Sequence, residues 1–274
     1  AETGRIVEAL IAAVAGHAVR APDPALRPPV EAELRGADLE GRRIVVSAGG
    51  TAEPIDPVRF IGNRSSGRMG VAIAEAALDR GAEVVLVAGT VSVPLPDRAV
   101  VRRAETAAQM RVTVLDALPD ADALIMAAAV ADFRPRRAAA TKLPRGGSLT
   151  LDLEATEDIL REAADLAHAG SLPWPVLVGF AAETGSLDRA PEKAARKRVD
   201  LLVANDVAEA GAGFGGDMNH VTIIVPGAAP EPWPPLTKRA VADRLLDRVA
   251  VLLDARDAAG QTGEHDRAME ENRA

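Results

Sequence analysis

The 274-residue chain is long enough for one large α/β domain or two small ones, at roughly 100–200 residues per domain. Its formal net charge of −8 argues against nucleic acid as the main partner, because phosphate-backbone binding needs a basic face. The absence of Cys excludes disulfides, thiolate zinc sites and a cysteine nucleophile, and the four His (His17, His168, His220, His265) lie far apart in sequence, form no HExxH-type pair and read as surface or hydrogen-bonding residues rather than ligands.

Residues 1–40 stand apart: Ile6–Val14 suits a short amphipathic helix, and the Pro-rich, charged stretch after it reads as a linker. A compact domain is expected to start near Leu39. Arg43–Ala48 reads as a strand, followed by a long Gly/Pro loop and a helix over Gly67–Arg80. Glu83–Ala88 is a second strand, Val100–Arg102 a short third, and a helix is expected near Thr106–Leu115. Ala123–Val130 carries no polar residue and reads as a buried strand. The basic, irregular segment Arg134–Gly147 leads to a short alternating strand, Ser148–Leu153, and a helix over Glu157–His168. Strands at Val176–Phe180 and Leu201–Ala204 flank a charged helix. Val221–Val225 is a further strand, and a helix over Thr237–Asp254 closes the fold before a polar tail.

Strands alternating with helices predict an α/β fold with a mainly parallel sheet covered on both faces. Nearly half the residues are apolar but only 2% are aromatic, so the core must be built from Ala, Val, Leu and Ile. No apolar run approaches the ~20 residues of a membrane span. No signal peptide opens the chain, and a first residue other than Met suggests processing or trimming. The expected location is the cytoplasm.

In such sheets ligands bind outside the carboxyl ends of the strands. That rule selects the loops after Ala48, Val130, Phe180 and Ala204. The first runs from Ser47 to Gly70 and lacks the G-x-G-x-x-G fingerprint of a dinucleotide site; no acid closes the second strand either. NAD(P) is disfavoured. Gly62 to Met69 keeps the glycine spacing of a P-loop, but Arg68 replaces its Lys and Met69 its hydroxyl. Ser65, Ser66 and Gly67 open a helix whose N–H groups suit an anion. On local spacing alone, the same residues equally suit a plain Ser N-cap. Asp132, just past the buried strand, can hold Mg²⁺ bound to phosphates or simply turn the chain. Lys142 lies in a basic loop and could reach a triphosphate, although on spacing alone it reads first as a solvated lysine. Phe180 offers a face for packing at a strand end, and Lys193 and Lys197 share one helix face at i, i+4.

The order of these segments carries more than any one of them. "GGTAEPIDPVRFIGNRSSGRMG", "AAAVADFRP", "GFAAET", "KRVDLLVANDV" and "GAGFGGDMNHVTII" together resemble the phosphopantothenoylcysteine synthetase family of coenzyme A biosynthesis, over roughly Gly41 to Ala255. The resemblance implies a Rossmann-like domain over residues 41–255, with a small extended dimerisation flap. Residues 1–40 would be the end of a preceding flavin-dependent decarboxylase domain plus linker, and 256–274 a polar tail. It implies a ligase that joins 4′-phosphopantothenate to cysteine. The carboxylate attacks the α-phosphate of CTP with Mg²⁺ present, giving an acyl-cytidylate and pyrophosphate; the cysteine amine then displaces CMP.

Carried over by position, Asn63 would hold the acyl-cytidylate, with Arg59 assisting and Ser65, Ser66 and Gly67 contributing to anion binding. Lys142 would serve nucleotide activation, from a segment that completes the site across a homodimer interface. Asp132, the turn Glu157, Asp158, Ile159 and Leu160, and Phe180, Lys193 and Lys197 match nucleotide-binding positions. Backbone at Ala128, Ala181 and Ala182 would favour the pyrimidine. The sequence departs from the family pattern at Ala52, Arg68, Leu143-Pro144-Arg145 and Thr156-Glu157. Competing readings are an NAD(P)-dependent oxidoreductase and a non-catalytic nucleotide-binding domain.

Overall fold

The structure, a computed structural model, describes residues 36–171, 174–183, 190–206 and 218–271, without the side chains of 183, 206 and 260–271. The amphipathic stretch and the linker expected before residue 36, and the Gly-rich run 211–217, lie outside the described residues. Among the described residues, the elements begin with β1 (Arg43–Ala48), the short pair β2 (Glu53–Pro54) and β3 (Phe60–Ile61), α1 (Arg68–Asp79), β4 (Glu83–Ala88) and β5 (Val100–Arg103). Then come α2 (Ala107–Leu115), β6 (Ala123–Met126), β7 (Phe133–Pro135), β8 (Leu153–Ala155), α3 (Ile159–His168) and β9 (Val176–Glu183). The last elements are α4 (Ala190–Lys197), β10 (Leu201–Asp206), β11 (Met218–Asn219), β12 (Val221–Ile224), β13 (Glu231–Pro232), β14 (Leu236–Thr237) and α5 (Lys238–Glu271).

An eight-stranded sheet runs β13-β12-β10-β9-β6-β1-β4-β5. From β10 to β5 every pairing is parallel, and β12 and β13 continue the edge antiparallel. The parallel part has the 3-2-1-4-5-6 order of a Rossmann sheet, which reverses direction between β1 and β6 and opens a crevice there.

Alternation along β1 shows how both faces are filled. Ile44, Val46 and Ala48 join a core with Ile73 and Ala77 of α1 and Leu245, Val249 and Leu252 of α5. Val45 joins a second core with Met110 and Val114 of α2, Ile159 and Ala163 of α3 and Ala194 of α4. Such two-sided burial makes the central strands read as continuous apolar runs. α2 is fixed twice at its start. Thr106 and Gln109 form a capping box, and the buried Glu53 carboxylate accepts a hydrogen bond from the Ala107 N–H at 2.8 Å. That second contact pins the long loop after β1 onto the body of the domain.

Several boundaries differ from the sequence reading. The strand expected over 123–130 stops at Met126, because 127–131 turn to bridge the Gly49–Thr51 loop instead. The strand expected over 148–153 is only Leu153–Ala155, paired antiparallel with β7. β9 and β10 run further than expected, to Glu183 and Asp206. α5 does not end at Asp254; it continues through the expected tail, where no Pro interrupts it and Arg256 and Asp257 find partners on the body. Among the described residues, no helix is long and apolar enough to cross a membrane.

Candidate active site at the sheet crevice

The carboxyl ends of β1, β6, β9 and β10 open into a cleft of about 740 Å³. Its floor depends on close backbone approaches. A Cβ on Gly70 would stand 2.6 Å from the Ala48 Cβ and 2.7 Å from the Ser47 carbonyl, so only glycine lets α1 start against the end of β1. Gly67 is left-handed at φ 77° and faces Val91, which a Cβ would approach to 2.5 Å. Gly67 is also the N-cap of α1, and no side chain caps this helix. The Ser65 hydroxyl instead accepts from the Gly67 N–H at 3.2 Å, shaping the turn. The plain Ser N-cap reading therefore falls, and the helix presents its positive end to the cleft.

The second wall is the segment after β6. The Ser47 hydroxyl accepts from the Ala128 N–H at 3.1 Å, the Thr51 hydroxyl from the Ala131 N–H at 2.9 Å, and the Gly49 carbonyl from the Ala129 N–H at 2.8 Å. The Thr156 hydroxyl donates to the Ala131 carbonyl at 2.6 Å, joining this wall to the start of α3. Asn63 crosses to the same segment: its amide donates to the Val130 carbonyl at 2.8 Å and lies 3.5 Å from an Asp132 carboxylate oxygen.

The third wall comes from α3, β9 and α4. Asp158 caps α3, accepting from the Arg161 N–H at 3.2 Å, and also accepts from the Lys197 ammonium at 3.0 Å. Glu157 lies below the usual carboxylate range, because its own backbone N–H and then Arg134 favour its charged form. Gly179 brings β9 close to Leu160, where a Cβ would meet the leucine at 2.7 Å. Phe180 is half-buried at the strand end.

Of the residues singled out from sequence, Asn63, Ser65, Ser66, Gly67, Ala128, Asp132, Glu157, Asp158, Ile159, Leu160, Phe180, Ala181, Ala182, Lys193 and Lys197 all line this cleft. Arg59 and Lys142 do not. Arg59 forks onto the buried Asp56 carboxylate, with Nε at 3.0 Å, and donates to the Leu143 carbonyl at 2.9 Å. Lys142 is exposed on the segment so tethered. Among the described residues no three His, Asp or Glu gather as a metal cluster, so Asp132 contributes a single carboxylate.

The sequence reading missed Asn205, Asn219 and Lys238, which also line the cleft. Asn205 follows from the strand-end rule, one residue past Ala204, had the strand been drawn to its full length. Asn219 lies in the quoted segment "GAGFGGDMNHVTII" but was not singled out, and Lys238 carried no such signal. The small β11–β14 ladder brings them together, and the Lys238 ammonium donates to the buried Asn219 amide oxygen. The Asn205 amide oxygen is buried with no hydrogen-bond partner among the described residues.

Comparison with known proteins agrees with this architecture. The chain is 42% identical over 236 residues to the coenzyme A biosynthesis bifunctional protein CoaBC of Bacillus subtilis, covering 85% of this chain and 55% of that protein. The CoaBC of Mycobacterium tuberculosis (strain H37Rv) is 42% identical over 225 residues, covering 79% of this chain and 54% of its own. The chain thus spans about half the length of the curated relatives it matches. A crystal structure of the C-terminal domain of a CoaBC superposes with TM-score 0.67 at 34% identity, covering 80% of this chain and 99% of that one. The family model described as "DNA/pantothenate metabolism flavoprotein C-terminal domain" matches residues 39–252, and the chain belongs to that family.

Proposed function

We propose that this domain is a phosphopantothenate–cysteine ligase working through an acyl-cytidylate. The observation that carries the reading is the cleft itself, which gathers Asn63, Asp132, the α1 start, Lys193 and Lys197 in a chain of net charge −8. Cations focused in one cleft favour a polyanionic ligand despite the overall sign. CTP, with its base toward Ala181, Ala182 and Phe180, would extend its phosphates toward the lysines and the positive end of α1. A carboxylate is a poor acyl donor until its oxygen becomes a phosphate ester, which is what step one provides. Asn63, oriented by the Val130 carbonyl, would present its amide to the oxyanion of step two.

Mg²⁺ fits this donor set. It binds through one or two carboxylates plus substrate phosphates, and Asp132 is one accessible carboxylate in the cleft. When bound, it would neutralise charge on the triphosphate. A second copy of the chain supplies Lys142 in this reading. Val58, Phe60, Phe133, Leu149 and Leu153 stand exposed on the hairpin and flap around it, apolar surface that favours self-association. A cytoplasmic location and, in the parent chain, a flavin-dependent decarboxylase domain complete the proposal.

The test is turnover. Purified protein with CTP, Mg²⁺, 4′-phosphopantothenate and cysteine should release pyrophosphate and CMP in equal amounts with the amide, and should leave NADH fluorescence unchanged. NADH binding without pyrophosphate release would favour an oxidoreductase, and neither activity a non-catalytic domain. Sedimentation should give a dimer.

A further inference from the structure

The Lys142 segment is anchored at one place by an arrangement the reaction scheme does not use. Asp56 is 3% exposed. Its Oδ1 accepts the Val58 and Arg59 N–H groups at 2.9 Å each. Its Oδ2 accepts the Arg59 guanidinium, with Nε at 3.0 Å, and the Leu143 N–H at 3.1 Å. Arg59 in turn donates to the Leu143 carbonyl at 2.9 Å. Both backbone polar groups of Leu143, the residue after Lys142, are therefore held by one ion pair whose carboxylate is buried. A third tie lies nearby: the Ala139 N–H donates to the Ile55 carbonyl at 2.8 Å. Among the described residues, 140 and 141 carry no comparable contact, so the Asp56–Arg59 pair is the tie nearest to residue 142.

We propose that Asp56 is a positioning residue for nucleotide activation: with Arg59 it holds the backbone of Leu143 and so fixes the reach of Lys142. The inference rests on the ligase reading and adds a residue to it. The chemistry supports the assignment. A charge-assisted, forked Arg–carboxylate contact defines direction as well as distance, and a cation displaced by about 1 Å from a developing charge can cost about 10²-fold in rate. A surface anchor with no functional duty would need neither the burial of Asp56 nor a bond to both backbone groups of Leu143.

The test separates the two steps and the two claims. Asp56→Asn keeps the shape and loses the charge that pairs with Arg59. With cysteine omitted, its pyrophosphate release from CTP and 4′-phosphopantothenate should fall about 10²-fold, as it should for Lys142→Gln. Hydrogen exchange should accelerate at the Leu143 amide while β1 and β6 amides stay protected, which shows that the loss is local. Leu143→Pro removes the N–H that Asp56 receives, and also fixes φ at 143 and restricts Lys142; it repeats the question at a half-buried position outside the core. Wild-type pyrophosphate release in both variants would overturn the positioning role. Failure of the wild-type protein itself to release pyrophosphate would instead overturn the ligase reading.

Discussion

At the scale of single residues, charge and burial decide which contacts matter. The Arg59 guanidinium, ahead of the backbone donors, holds the Asp56 carboxyl well below the usual carboxylate range. An acid depressed in this way stabilises the fold at every pH above its ordinary value of about 3.9, and loses that contribution only as pH falls below it. Urea unfolding should therefore separate wild type from Asp56→Asn equally at pH 7 and pH 5, with the difference shrinking below about pH 4. A constant difference down to pH 2 would contradict the assignment. Lys238 offers a second case. Its ammonium lines the cleft on a buried Asn219, so Lys238→Ala should raise the KM for one of the two phosphate-bearing substrates and cost about 1–3 kcal/mol of stability by leaving the Asn219 amide oxygen without its donor. Kinetics with each substrate varied in turn would read it.

Single-residue signals in the sequence were uneven for reasons visible at these positions. Asn63, Asp132 and Lys193 sit on loops or helices next to strand ends, so the strand-end rule and the resemblance both reached them. Asn219 and Lys238 come together through a two-residue ladder formed by pieces nineteen positions apart, which leaves no periodic trace. Asp56 looked like any loop acid before a Pro. Its burial arises only because a segment from the other side of β6 folds over it.

Between elements, the contact that orients the site is α1 on β1. Gly70 lets the helix begin within touching distance of Ser47 and Ala48, which aims its positive end into the cleft. Gly70→Ala would gain at most ~1 kcal/mol in helix propensity, against about 1–3 kcal/mol for overpacking a backbone that cannot retreat. The variant should be less stable by chemical denaturation and should bind CTP more weakly, because the helix start must shift. A more stable protein with unchanged affinity would show that the approach has slack. The central helices and strands were legible because each buries one periodic face. The reading of 123–130 as one strand failed for a physical reason. A run of apolar residues looks the same whether it is a strand interior or the wall of a half-buried cleft, and residues 127–130 are the latter. The flap was legible only as basic and irregular, since its order comes from Asp56, Ile55 and Arg134 rather than from its own pattern.

Across the whole molecule, the candidate cleft lies at one end of the sheet and the stitching at the other. Below the amino ends of the strands, the Asp122 carboxylate accepts the Arg43 N–H at 2.7 Å and Asp200 accepts the Leu177 N–H at 2.7 Å. α5 closes this end: Arg256 pairs with Asp200 at 2.7 Å and donates to the Trp174 carbonyl at 2.6 Å, and Asp257 pairs with Arg42. Those ion pairs explain why a polar stretch that reads as a tail continues as helix. Burial pushes the Asp200 carboxyl up, only partly offset by Arg256. Arg256→Ala should therefore cost about 3 kcal/mol by leaving a buried carboxylate unpaired. Because the native value is raised, the loss should be smallest in acid and grow as pH rises through the titration of Asp200. Equal destabilisation at pH 3 and pH 8 would contradict it.

The central claim is that this cleft activates a carboxylate with a nucleotide before any amine arrives. A single-turnover experiment with CTP, Mg²⁺ and 4′-phosphopantothenate but no cysteine tests it most directly. The account predicts stoichiometric pyrophosphate and a bound acyl-cytidylate, with CMP and amide appearing only when cysteine is added, and an Asn63→Ala variant that halts after the first product. Pyrophosphate that appears only together with cysteine, or an Asn63→Ala variant that turns over normally, would contradict it.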